Sequence, residues 1–187
     1  MATDVVETME TILADFAHET HLSMGAVTLR LLIALICGAV VGIEREWQQR
    51  PAGLRTHILI CLSAAALAIS GIEITYLSTF QSDAIRIDPL RLIESLTSGV
   101  AFLAAGTIVF ARGEVKGLTT GAGMWLAGTI GLAAGLGLWQ IAVVTTVFAV
   151  IVLWLLRRLE VGLKFREGGD TSSDQGKQTG KDPHPSP

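Results

Sequence analysis

The densest group of residues able to do chemistry lies at 42–57, GIEREWQQRPAGLRTH, which holds Glu44, Arg45, Glu46, Arg50 and Arg55. Together with Thr56 and His57, and with Lys116, Thr119 and Thr120 expected at the same depth, this set could form a small polar site or a docking surface. Helix starts near Thr56 and Gly117 would offer free backbone N–H groups to an anion or a carboxylate. The same residues could equally be ion pairs and caps that close one face. A second set, Arg30, Asp88, Arg91 and Glu94 with Ser95 and Ser98, has the oxygen ligands a hard cation takes. Its two arginines favour ion pairing instead. His57 and Cys61 stand four apart, with Cys37 on the preceding apolar run, which are the residue types of a soft-metal site. Three ligands without geometry define no site, so no metal or cofactor is assigned.

The sequence contains no G-x-x-x-x-G-K-[ST] phosphate loop and no recognisable nucleophile–base pair. The expectation is a protein that is not an enzyme and not a primary pump. No nucleic-acid partner is expected either.

The elements that must position these residues are apolar rods. The 187 residues are 50% hydrophobic and 17% charged, and the apolar residues come in blocks, too greasy for an ordinary soluble domain. Charged side chains are costly in hydrocarbon, so the 42–57 stretch belongs at a membrane face between two spanning helices. The expected architecture is an all-α membrane protein with five transmembrane helices at about 25–43, 56–74, 89–110, 117–135 and 139–156. These lie within a 25–160 membrane domain. An acidic amphipathic segment (1–24) precedes it and a polar, disordered tail (161–187) follows. The N-terminus carries Asp4, Glu7 and Glu10 where a secretory signal needs positive charge, so the first spanning helix would serve as the targeting element.

Local signals support several of these assignments. Gly38 and Gly42 make a GxxxG pair in the first helix. Asp88-Pro89 reads as an N-cap followed by proline at the first helical position. In the fourth helix Gly123, Ala127, Gly131 and Ala134/Gly135 put small residues on one face, which marks this helix as the packing centre. Residues 112–116 read as a charged turn. Arg30 is expected to snorkel to the headgroups, and Trp139 and Trp154 to anchor the fifth helix at the interfaces. Cys37 and Cys61 read as buried small residues.

Orientation follows from lysine and arginine. Arg45, Arg50, Arg55, Arg112, Lys116, Arg157, Arg158, Lys164, Arg166, Lys177 and Lys181 fall on one side; Arg86 and Arg91, with Arg30 nearby, fall on the other. Positive residues mark the cytoplasmic side, which puts the N-terminus outside and the C-terminus inside.

The blocks RLLIALICGAVVGIERE, AGLRTHILICL, DPLR and SGVAFLAAGTIVFARGEVKGLTTGAGMWLAGTIGLAAGLG resemble the MgtC/SapB family of bacterial inner-membrane proteins over about residues 29–160. The family pattern falls on Glu44, Arg45, Gly53, Leu54, Arg55, Thr56, Asp88, Pro89 and Arg91. It also falls on Gly99, Phe102, Gly106, Gly117, Leu118, Thr119, Thr120 and Trp125. The resemblance implies a multi-pass inner-membrane protein linked to magnesium homeostasis and stress adaptation at low magnesium. It also implies modulation of membrane potential or of the ATP synthase and, in pathogens, virulence. With a polar tail after the last apolar rod, the expectation is a short form without the folded C-terminal cytoplasmic domain of the longer members. The leading expectation is thus a regulator acting through the bilayer and other inner-membrane proteins, and able to form homo-oligomers. Its working surfaces would be the 42–57 turn and the small-residue face of the fourth helix. The alternative is a small carrier or channel for magnesium or another cation, lined by the polar face of the third helix. Gly38, Gly42, Gly99, Gly106, Gly123, Ala127, Gly131 and Gly135 are the expected helix-packing positions.

Overall fold

A computed structural model describes residues 5–11, 20–77, 88–111 and 113–170. A short helix, α1 (residues 5–11), is followed by α2 (Met24–Trp47), α3 (Leu54–Tyr76) and α4 (Pro89–Thr107). A hairpin of β1 (Val109–Ala111) and β2 (Glu114–Lys116) leads into α5 (Leu118–Gly135) and α6 (Trp139–Asp170). The protein is mostly helical. α2 and α3 are long and apolar enough to cross a membrane by length and composition, and Trp139–Leu155 is a shorter apolar helix.

Each helix begins or ends where side-chain chemistry allows. Ser23 caps α2, its Oγ accepting from Ala26 N at 3.3 Å. Asp88 caps α4 as the sequence predicts, its Oδ1 accepting from Leu90 N at 2.9 Å with proline at the first helical position. α5 stops in a Schellman arrangement: Gly137, at φ 84°, donates to Ala134 O at 3.0 Å, and Leu138 N donates to Ala133 O at 2.9 Å.

Three boundaries differ from those expected. α2 continues one turn past Ile43, because Glu44, Arg45 and Glu46 are good helix formers, so the charged stretch is largely helical and the connection is short. α4 ends at Thr107, not at Phe110, and 109–116 is a hairpin, not a simple turn. Ile108, Val109 and Phe110 favour extended backbone, and the register pairs Phe110 with Val115 and Ala111 with Glu114. Gly113, at φ 82°, supplies the left-handed residue that so tight a connection needs. Finally, α6 runs to Asp170, so 161–170, expected in the polar tail, is helical; Leu159, Glu160, Leu163, Lys164 and Arg166 all have good helix propensity. The rest of that tail (171–187), residues 12–19 of the acidic segment, Asp83, Arg86 and Arg112 lie outside the described residues.

The chain divides into two compact units, Met1–Thr146 and Val147–Pro187. In the second, the Arg158 guanidinium lies 4.9 Å from the centre of the Trp154 ring. In the first, α5 packs against α2, α3 and α4, and α2 packs along α3. The interior is built of small residues, with Ala34, Ala64, Ala65, Ala68, Ala127 and Ala134 fully buried. Many large apolar side chains lie outside, Trp47 at 77% exposed and Phe102 at 79%, while Ile130 and Val41 are enclosed.

Small residues are required where backbones meet. A Cβ at Gly131 would strike the carbonyl oxygen of Cys61, and one at Gly135 would lie 2.5 Å from the carbonyl oxygen of Ala65. α5 therefore touches α3 main chain to main chain. Gly42 gives α2 the same approach, 2.7 Å from a Cβ to Leu54 Cα. Gly99 and Gly106 differ, for a Cβ there meets nothing within 4 Å.

Alanine substitution separates these cases. Gly131→Ala is expected to lower stability in detergent by about 3 kcal/mol, as overpacking does when backbone cannot yield. Gly99→Ala is expected to raise it by roughly 0.5–1 kcal/mol, because only helix propensity changes. Thermal unfolding of the two variants checks both signs.

Candidate functional site

The polar residues at the end of α2 and the start of α3 form one buried group. Arg45 is 3% exposed and His57 0%. Both come from the 42–57 stretch: the extra turn of α2 carries Glu44 and Arg45 inward, and α3 begins early enough to put His57 on its buried face. His57 Nδ1–H donates to the carbonyl of Gly53 at 2.9 Å, one turn back on its own helix. Glu44 is half-buried; its Oε1 accepts from Gln48 Nε2, and its Oε2 lies 3.7 Å from Arg45 Nε. Glu44 Oε2, Arg45 Nε and His57 Nε2 are buried and have no hydrogen-bond partner in the protein. All three belong to neighbouring turns of two packed helices.

The third wall is α5. A Cβ at Gly123 would lie 3.3 Å from His57 Nε2 and 3.5 Å from Arg45 Nε, so both nitrogens sit directly against that glycine. Thr120, three residues earlier on α5, is 2% exposed. Thr119 and Arg55 are exposed and Thr56 is half-buried.

Glu46 has a different task. Its Oε2 accepts from Leu54 N at 3.0 Å, and a Cβ at Gly53 would collide with the same carboxylate oxygen. The anion at the N-terminus of α3 is therefore the chain's own glutamate, held there because residue 53 has no side chain.

Asp88 and Arg91 do not join this group. A Cβ at Gly71 would meet Leu92, so the start of α4 lies near the far end of α3, about 25 Å of helix from Leu54. The expected meeting of Arg30 with Asp88, Arg91 and Glu94 is also corrected. Arg30 Nη1 donates to the carbonyl of Gly135 at 2.9 Å, where a cation meets the negative end of α5. Asp88 is engaged as the α4 cap, and Arg91 and Glu94 are exposed.

Cys37 and Cys61 are free thiols, and Cys61 Sγ donates to Ala127 O at 3.0 Å across the α3–α5 seam. Among the described residues no group of three or more His, Cys, Asp or Glu side chains is placed to hold a metal ion.

Two polar anchors escaped the sequence reading. Glu73, near the end of α3, accepts from His21 N at 2.7 Å and Leu22 N at 2.9 Å. The His21 ring stacks on Tyr76 at 3.5 Å. The available signal was a carboxylate isolated in an apolar run.

A small-residue helical core under a large apolar exterior, with a buried arginine–histidine group at one end, defines the class: a helical protein built to pack in an apolar surround. The MgtC family model matches residues 31–161, and the chain belongs to that family. Protein MgtC of Salmonella typhimurium is 36% identical over 139 residues, which are 74% of this chain and 56% of that protein. Protein SrpB of Synechococcus elongatus is 34% identical over 143 residues, 72% of this chain and 76% of SrpB. "Putative magnesium transporter YhiD" of Escherichia coli is 31% identical over 131 residues, 70% of this chain and 60% of YhiD. Apart from SrpB, the chain spans little more than half the length of these relatives. No solved structure matches it.

The Glu46 cap yields a double-mutant test. Glu46→Ala is expected to cost about 1 kcal/mol through loss of an N-terminal partner. Gly53→Ala alone is expected to cost more, since its methyl displaces the carboxylate, and much less in the Glu46→Ala background. Thermal unfolding of the four proteins measures the coupling.

Proposed function

We propose that this chain is a multi-pass inner-membrane protein with five crossings, N-terminus outside and C-terminus cytoplasmic, that serves adaptation to low magnesium as a non-enzymatic regulator. It works by contact with other membrane proteins. The observation that carries the membrane reading is the reversed polarity of the packing. Leu32, Ile36, Val40 and Ile43 of α2 and Leu59 and Leu67 of α3 are exposed, while the interior is rich in alanine and glycine. In water such a surface would aggregate. In hydrocarbon it costs nothing, and helices associate there through small residues.

The magnesium connection rests on the family and on the name that YhiD carries. The regulatory reading is supported by how the polar groups are used. Of the two carboxylates considered for a cation, Asp88 caps α4 and Glu94 is exposed; elsewhere Glu46 caps α3 and Glu73 holds the residues before α2. The face offered to partners also changes from the one first expected. The small-residue face of α5 is consumed inside the protein, against α2 and α3, so it is not a docking surface. What remains at that end of the molecule is the exposed basic rim, Arg50, Arg55 and Lys116, with Thr119 beside it.

Three measurements test this. A fluorescent protein fused after Arg50 should report a cytoplasmic location. Proteoliposomes loaded with a magnesium-sensitive dye should show the flux of empty liposomes. Growth of a deletion strain in low magnesium should be restored by the wild type and not by Arg50→Glu/Arg55→Glu. Protein-dependent flux lost in Asp88→Asn, which keeps the helix cap but removes the charge, would replace the regulator with a carrier.

A further inference from the structure

α3 and α4 do not close on each other along their whole length. They meet where a Cβ at Gly71 would strike the Leu92 side chain. From there a cleft of about 370 Å³ runs between them, lined by Leu59, Ser63 and Leu67 of α3 and by Leu96, Gly99 and Leu103 of α4. Each helix is fixed separately on α5, α3 at Gly131 and Gly135 and Val100 of α4 at Gly128, so the cleft is part of the packed structure. Leu59, Leu67 and Leu103 are exposed along it, and a Cβ at Gly99 would meet nothing within 4 Å. Leucine walls hold no water and are as apolar as a lipid tail, so in a bilayer hydrocarbon fills this space. A protein helix is the poorer occupant. Where this chain joins its own helices it uses glycine and alanine with backbones in contact, and the cleft is walled chiefly by leucines. Its length matches one leaflet: from Leu59 to Gly71 α3 rises about 18 Å, against about 15 Å for half a hydrocarbon core.

The open end of the cleft is also its charged end. Arg55 lies one turn before Leu59 on the same face of α3. On the other wall Thr107 follows Leu103 by one turn, Gly117 stands directly against the Thr107 carbonyl, and Lys116 is the residue before that glycine. Each wall therefore ends in a cation. Both are exposed, and neither forms an ion pair among the described residues. Of the carboxylates at this end, Glu44 is bonded to Gln48, Glu46 to Leu54 N, and Glu114 lies nearer the hairpin tip.

We propose that the α3–α4 cleft binds an anionic phospholipid of the surrounding bilayer. One acyl chain lies between Leu59 and Leu103 and runs toward Gly71, and the phosphate sits between Arg55 and Lys116. Its oxygens accept from the guanidinium and the ammonium, the charge-assisted contacts by which basic pockets between membrane helices hold lipid headgroups. A zwitterionic lipid offers the same chain but adds a cation where the protein already has two. The proposal rests on the membrane reading above and not on the regulatory one.

Native mass spectrometry of the full chain, titrated in detergent with dioleoyl phosphatidylglycerol or dioleoyl phosphatidylcholine, tests the site. The wild type should retain one phosphatidylglycerol in clear preference to phosphatidylcholine. A cation beside an anionic headgroup is worth about five-fold, so Arg55→Gln/Lys116→Gln should weaken phosphatidylglycerol retention roughly 25-fold and leave phosphatidylcholine unchanged. Gly99→Leu, whose side chain enters the cleft, should lose the bound lipid. Equal retention of the two lipids by the wild type, a preference that survives in the double variant, or full retention in Gly99→Leu overturns the proposal. So does a wild-type dimer that Gly99→Leu abolishes, which would give the cleft to a second copy of the chain. The headgroup comparison decides by itself if Gly99→Leu does not fold. A chain recovered from cells without detergent overturns the membrane reading as well, whereas a chain that needs detergent and shows no lipid preference overturns this proposal alone.

Discussion

The contact on which the rest of the first unit depends is main chain against main chain, along the seam where α5 meets α3. Surrounding lipid would give two apolar helices no hydrophobic reason to associate, so the attraction must come from dispersion at short range and from whatever hydrogen bonds cross the seam. Both operate here. Gly131 and Gly135 bring α5 against the carbonyls of Cys61 and Ala65, and the Cys61 thiol donates back to Ala127 O. The contact has no slack, because a single methyl group at residue 131 would stand where a carbonyl oxygen already is. Its position in turn fixes where Gly123 lies, and hence what Arg45 and His57 pack against.

Hydrogen bonds at helix ends form the second layer of the design. A helix end in an apolar surround leaves backbone groups that water cannot reach, so they must be met from within the protein. Here the partners come from other elements: Glu46 of α2 for the start of α3, Arg30 of α2 for the end of α5, and Glu73 of α3 for the residues leading into α2. Each of these side chains also carries a charge of the sign that suits the end it meets. Charges that look like a reservoir for ion pairing or ion binding are thereby distributed one to a terminus. Each such bond also ties two helices together, so the caps act as tertiary contacts.

Features fixed by local chemistry were legible in the sequence, and those fixed by long-range approach were not. Asp88-Pro89 announces a helix start in any context, and the spacing of Gly123, Ala127 and Gly131 gives the packing face of α5 from periodicity alone. Arg30 was read as a side chain reaching for headgroups because its partner, the carbonyl of Gly135, is 105 residues away. The hairpin was missed because a short run of apolar residues does not distinguish a strand from a helix end, and β-branched Ile108 and Val109 were outvoted by their neighbours. Gly99 and Gly106 share the composition of the true packing glycines; only the position of α4 shows that they face open space. The small face of α5 was found correctly and given the wrong use, since periodicity identifies a groove without naming what fills it.

The row of glycines on α5 changes its role along the helix. At 131 and 135 the missing side chain admits a backbone. At 123 it admits the polar heads of Arg45 and His57. Were close packing the only demand, apolar heads in those two places would serve as well and would avoid the cost of burying polar atoms that the protein does not pair. That cost is tolerable at the end of the seam, where Glu44 is only half-buried and the start of α3 is near the surface, and it would be prohibitive at the level of Ile130, which is fully enclosed. The molecule thus pairs a dry, tightly closed stretch of α5 with a polar stretch one helix-half away.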